Sequence, residues 1–331
     1  MSPFNKALVL AGLAKQADKG TLAANPTYGF GVAGGKIIDS PIKQDPSDVT
    51  SGSLAASSVD RTEVGGVMGF DTRAYMKMLG LILLGLYGAE VVTGVSPSLA
   101  HAYGLAAAQP YLSAFKSDNG VLSALRDVKV TGLNMKWTAN GPVTITPLGT
   151  GTVLSFPETF APTTDETGSE SFLTPVGGTF QVAMVGAMPA TARITGGEID
   201  IAFGTTPVFA SGSIEADDPG AHEVMAATCK LTVIPDDLAY WMQVVTGTAD
   251  GIAVSPKAQY GSLSIGFKDN GSATGGLVWT GGKVAFLADR PDVDPKGGNV
   301  ELALAATAVM PSLGVAPLIP VLTNDVASYS V

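Results

Sequence analysis

"GFDTRAYMKMLGLILLGLYGAE", residues 69–90, is the stretch that decides how this chain folds. It is dense in Leu, Met and Tyr and carries no charge from Met78 to Ala89. That uncharged run is about a dozen residues, against the roughly 20 that a membrane-crossing helix needs. Gly80, Gly85 and Gly88 interrupt or end it. The stretch reads as a buried helix, not a span. Asp71 is placed to cap its first turn, with the helix running from Thr72 to Tyr87, and Gly88 is placed to stop it. The second half is apolar on every side, so it has to be covered on every side. One sheet covers one face; a second domain or a second subunit has to cover the other.

The rest of the chain supplies sheet. It has 331 residues, with 41 Gly and 21 Pro but only 15% charged residues. Many short strands joined by Gly-rich turns give that balance, and the length suits two ordinary domains or one large β domain. The net charge of −10 argues against a groove that grips nucleic acid, which needs clustered Lys and Arg. It does not exclude nucleic acid passing nearby without sticking. The single cysteine, Cys229, excludes an internal disulfide framework and points to a reducing compartment. The opening "MSPFNKALVLAGLAKQADKG" has a Lys and a short apolar run but no A-x-A site after it, so it is not read as a secretion signal.

The chain also repeats itself. "GGKIID" (34–39) is echoed by "GGEIDI" (196–201), "SGSLAA" (51–56) by "SGSIEA" (211–216), and "TEV" (62–64) by "HEV" (222–224). "DTRAYM" (71–76) is echoed by "DDLAYW" (236–241), "GVSPSLAHAYG" (94–104) by "AVSPKAQYG" (253–261), and "VTGLNMKW" (130–137) by "WTGGKVAF" (279–286). The echoes fall in one order at separations of 149 to 165 residues, close to half the chain. We expect a tandem duplication, residues 1–165 and 166–331, divided within the Pro/Thr/Ser-rich acidic stretch 156–178. Each copy reads as strands, a helix (the second over Asp237 to Thr246), a Ser-Pro loop and a hairpin. Leu133, Met135 and Trp137 alternate with Asn134 and Lys136 as a half-buried strand does, and Asn140-Gly141 marks its turn.

No constellation assembles chemistry. "GFGVAG" (29–34) matches a dinucleotide-loop pattern, but a strand rather than a helix follows it, so a glycine-rich turn is the better reading. Asp289, Asp292 and Asp294 approach calcium-loop spacing, yet Lys296 and Ala303 stand where ligands are required, leaving at most a loose cation site. His101 and His222 have no spaced histidine partner and Cys229 has no second thiol, so no metal site is expected. Asn270-Gly271-Ser272 is read as a turn. There is no nucleophile, base and oxyanion set, so neither an enzyme nor a cofactor is expected.

Three stretches carry a family resemblance. "LAKQADKGTLAANPTYGFGVAGGKI" (13–37) contains a K-Q-x-x-K-G-T-x-A-A-N-P leader ahead of the first strand. "GGVMGFDTRAY" (65–75) leads into the Gly-ended helix, and "TGLNMKW" with the following "GPV" forms a later hairpin. In these the chain resembles the major tail tube proteins of long-tailed bacteriophages. The resemblance implies a β-sandwich or half-barrel with one flanking helix per copy. It implies subunits that close into rings, rings that stack into a tube, and arms that bridge the rings. It further implies DNA passing through an acidic lumen without specific binding, other tail proteins (tape measure, tail terminator, tail tip) as partners, and a place in the virion tail after assembly in the host bacterial cytoplasm.

Two copies per chain suggest that three subunits complete a ring built elsewhere from six, with six subunits as the alternative. The helices are the expected subunit contacts, through Tyr75, Met76, Leu79, Leu83 and Leu86 in the first copy and Tyr240 and Trp241 in the second. The alternative function is a virion-surface or tail-tip binding module for host glycans, for which Trp137, Trp241 and Trp279 are candidates.

Overall fold

The computed structural model describes residues 9–30, 34–39, 42–46, 59–64, 66–118, 121–156, 171–184, 193–209, 211, 216–220, 222–234, 239–248, 251–288 and 301–330. The described chain is mainly β. It runs β1 (Val9–Lys15), β2 (Tyr28–Phe30), β3 (Gly34–Asp39), β4 (Ile42–Pro46), β5 (Val59–Val64), β6 (Gly66–Arg73) and α1 (Met76–Tyr87). It continues through β7 (Gly88–Val95), β8 (Ser98–Leu105), β9 (Leu112–Asp118), β10 (Val121–Thr138), β11 (Thr144–Gly151) and β12 (Val153–Ser155). The second half holds β13 (Leu173–Met184), β14 (Arg193–Thr205), β15 (Val208–Phe209), β16 (Ala216–Asp218), β17 (His222–Ile234) and α2 (Ala239–Thr246). It ends with β18 (Gln259–Asp269), β19 (Gly276–Ala288), β20 (Leu302–Ala308) and β21 (Ile319–Asn324).

Helix α1 starts four residues later than the capping argument placed it. Asp71 remains in β6, where its carboxylate accepts a hydrogen bond from Thr146 Oγ1 at 2.5 Å. The ladder to β11 extends through Ile145↔Thr72 and Thr144↔Arg73, so these residues satisfy their backbone in the sheet. Tyr75, in extended conformation, is the N-cap, and no side chain caps the first turn. The other end follows the expectation. Gly88 has φ 90° and donates its N–H to Leu84 O, a left-handed stop that a residue without Cβ adopts at no steric cost. The expected start of α2 near Asp237 lies outside the described residues.

Every residue of α1 except Lys77 is buried. The cover comes from within the chain: β1, β2, β7, β8 and β10 on the N-terminal side, and β21 from the C-terminal end. Gly85 lets Val130 of β10 approach; a Cβ there would fall 2.7 Å from Val130 Cγ2. Tyr87 donates its hydroxyl to Leu318 O at 2.6 Å, tying the helix to the segment before β21.

Strand β10 turns a corner. Its first part pairs with β9 and β12, and its second with β11 and β14. At the corner Asp127 has φ 55°, and the ladders shift register on either side. The Asp127 carboxylate is buried; it accepts hydrogen bonds from Gly20 N–H at 2.7 Å and Thr152 Oγ1 at 2.9 Å. These bonds fix a left-handed backbone at an L residue, a bulge that redirects the strand.

The halves share one network of ladders. Neighbours run β3–β6–β11–β10, then β14–β17–β20–β19, and β10 joins β14 from Gly132↔Ala202 to Thr138↔Gly196. The order within each group of four is the same: two strands before the helix, then the two strands of a later pair in reverse. The second side of the sandwich is β7–β8–β21–β19–β18–β13. It closes back on the first where Leu173 donates to Ala74 O and accepts from Val143 N–H, both at 3.0 Å. The result is barrel-like. One continuous core lies between the sides, with Leu79 of the first half and Trp279 of the second in the same cluster. The expected boundary at 165/166 lies outside the described residues.

Candidate assembly surface

Strand alternation decides which side chains the eight-strand run leaves outside. In β14, β17 and β20, residues 199, 201, 227, 229, 231, 304 and 306 are buried, and their neighbours face out. The registers align these outward residues into rows across the strands. One row is Arg73, Thr144, Lys136, Glu198, Lys230, Ala305 and Leu287. The next includes Asn134, Asp200, Thr228, Thr307 and Ala285. Of these twelve residues five are Thr or Ala and five are charged, and neither row has an aromatic ring. Across β10, β14, β17 and β20 the face is concave, forming a shallow hollow of about 880 Å³.

It carries charges of both signs. Lys136 Nζ lies 3.5 Å from Glu198 Oε1. Asn134 Nδ2 donates to Glu198 at 2.5 Å and to Asp200 at 3.3 Å. The Asn134 hydrogen bond, aided by Lys136 and Lys230 and opposed by burial, holds the Glu198 carboxyl below its usual range. Asp71, Glu198, Asp200 and Glu301 stand against Arg73, Lys136, Lys230 and Lys283. The face is therefore close to neutral among its described residues, not the acidic surface that the overall charge suggests.

The expected contact residues lie elsewhere. Met76, Leu79, Leu83 and Leu86 are fully covered by the chain's own strands and offer no surface to a neighbour. Tyr75 and Trp241 are half-buried, and the Tyr240 side chain is outside the described residues. The apolar girth of the helix exceeds what one sheet covers, and β21 and the C-terminal end, not a second subunit, supply the missing cover. Trp279 is fully buried and Trp137 is 5% exposed, the latter packed on Phe180 and Phe267 with centroids 6.2 and 5.1 Å away. Neither ring can stack on a sugar. Asp289, Asp292 and Asp294 lie outside the described residues, and no cluster of metal-ligating side chains occurs among the described ones.

Three polar sites had no local signature. Asp127 is one. A second joins the N-terminal loop to the second half: Asp218 accepts from Tyr111 Oη at 2.6 Å and Gly220 N–H at 2.8 Å, beside Lys19 and Lys129 at 3.2 Å. The third is Glu90 with His101, both without exposed side-chain surface. His101 is fully buried. None of the three pairs a nucleophile with a base.

No protein-family model matches this chain, and no curated protein matches it.

Proposed function

We propose that the chain is a structural protein that assembles with copies of itself into stacked rings, forming a hollow tube through which DNA passes. On this reading it is a tail tube protein of a long-tailed bacteriophage, assembled in the bacterial cytoplasm and resident in the virion tail. Other tail proteins meet the ends of the tube. The observation that carries the reading is the repeated strand order, β3–β6–β11–β10 and then β14–β17–β20–β19, joined edge to edge inside one chain. A wall can continue from the outer edge of β3, which is paired with β6 on its inner side, whereas the outer side of β19 is already held by β18 within the chain, so the joint between chains differs from β10–β14 at that end. Ring closure then removes the edges left over.

The concave face supports a role as lining. It offers small side chains and lysines interleaved with carboxylates, rather than the unopposed basic cluster that phosphate binding requires. The net charge of −10 adds long-range repulsion of DNA. Negative-stain microscopy of the purified chain, alone and with its neighbouring tail proteins, tests the reading. Rings or hollow tubes are expected. A chain that stays monomeric under all these conditions, or that binds glycans as a monomer, overturns it.

A further inference from the structure

A buried carboxylate needs donors for its oxygens, and three of the four donor groups around Glu90 come from the far end of the chain. On β7, Glu90 accepts from His101 Nδ1 of β8 at 2.6 Å. It also accepts from Ser328 Oγ at 2.8 Å and from the backbone N–H groups of Tyr329 and Ser330, both at 3.0 Å. The Tyr329 ring fills the notch that Gly80 leaves on α1, where any Cβ would collide with it. It lies edge-on to the His101 ring at 5.2 Å, and its hydroxyl accepts from Asn324 Nδ2 at 2.7 Å. Lys15 Nζ of β1 donates to Ser330 O. Beyond Asn324 this segment joins no ladder.

We infer that residues 325–330 form an acid-released strap keyed by the Glu90 carboxylate: neutralising Glu90 frees the strap from α1 while the sheets stay folded. A carboxylate is an acceptor only; once protonated it adds a donor of its own where three donors from the strap converge. The titratable groups facing it are His101 and Tyr103 on β8, Tyr28 on β2 and Tyr329 on the strap, with Lys15 facing the strap's last carbonyl. Burial pushes the Glu90 carboxyl up, but the contacts from Ser328, His101 and Tyr329 outweigh it and hold the group below its usual 4.5. A carboxyl depressed in the folded state contributes fully above its unfolded value and loses that contribution as pH falls through the folded one. The strap is closed at neutral pH and opens in acid. Its opening uncovers Gly80 and the edge of His101. The inference does not depend on tube formation.

Hydrogen exchange by mass spectrometry on the full chain tests it, with rates corrected for the intrinsic effect of pH. Between pH 5 and 3.5, exchange across 325–330 is expected to rise about tenfold while β14 and β17 stay protected. Glu90→Gln is expected to be open already at pH 7 and to show no further step. A His101→Gln chain keeps the step, which separates the carboxylate from the imidazole. The inference is overturned if the wild-type strap stays protected to pH 3.5, or opens together with β14 and β17. It is overturned equally if Glu90→Gln is closed at pH 7 or the step vanishes in His101→Gln. If Glu90→Gln does not fold, the wild-type titration decides on its own.

Discussion

At the scale of single residues, demand on backbone geometry is the part that shows in sequence. Gly88 was recognisable as a helix stop because a left-handed residue after an apolar run favours glycine. Gly88→Ala would place a Cβ 2.9 Å from both Ala106 Cβ and Ala108 O, at φ 90°. The expected loss is about 3 kcal/mol, strain and overlap together, read from the urea midpoint. Asp218 and Glu90 were not recognisable, because apart from Gly220 and His101 the groups that define them lie about 90 to 240 residues away. Burial opposes ionisation of Asp218, yet Tyr111, Gly220, Lys19 and Lys129 hold its carboxyl well below 3.8. The stabilisation it brings is complete above that value and lost as pH falls through the folded one. The stability gap between wild type and Asp218→Asn is therefore expected to shrink from pH 5 to pH 2 in denaturant titrations; a constant gap would remove the assignment. Cys229, 3% exposed, has its thiol pushed up to about 12 by burial. It should resist a thiol reagent at pH 8 in the native chain and react at once in guanidinium.

At the scale of elements, α1 shows what a pattern carries and what it leaves out. Its apolar girth and its glycines gave a buried helix and the correct end. Its start was misplaced because the alternative for residues 71–73 is a ladder with Thr144–Thr146, a partner that no local window contains. Its cover was likewise invisible, since β21 and Tyr329 arrive from the opposite terminus. The consequence is testable. Leu83 is completely buried within the single chain, so Leu83→Asp puts an unpaired carboxylate into the core. The cost exceeds about 4 kcal/mol, and the expected outcome is loss of near-ultraviolet circular dichroism or of soluble protein. A folded Leu83→Asp monomer that merely failed to assemble would restore α1 to a subunit interface. The strands were easier to read, because Leu133, Met135 and Trp137 alternate into the core as the sequence pattern required.

At the scale of the whole molecule, the proposed tube turns on how many chains close a ring. Each chain offers two groups of four strands in the same order, already joined at β10–β14. A wall that needs six such groups is complete with three chains, and its end-on view keeps threefold symmetry because the halves differ in detail. The first helix, for example, is buried at every residue but Lys77, whereas the described residues of the second are mostly half-buried. Three chains of 33.5 kDa give a ring layer of about 100 kDa. Native mass spectrometry of rings, or class averages viewed down the tube axis, distinguishes this from a layer of twice the mass. Three repeats and the lighter mass are expected. Six chains per layer would place one group of four strands in the wall and leave the other outside it. In that arrangement the β10–β14 joint would tie a decoration to the wall instead of continuing it. The near-neutral face would then be divided between the lumen and the exterior.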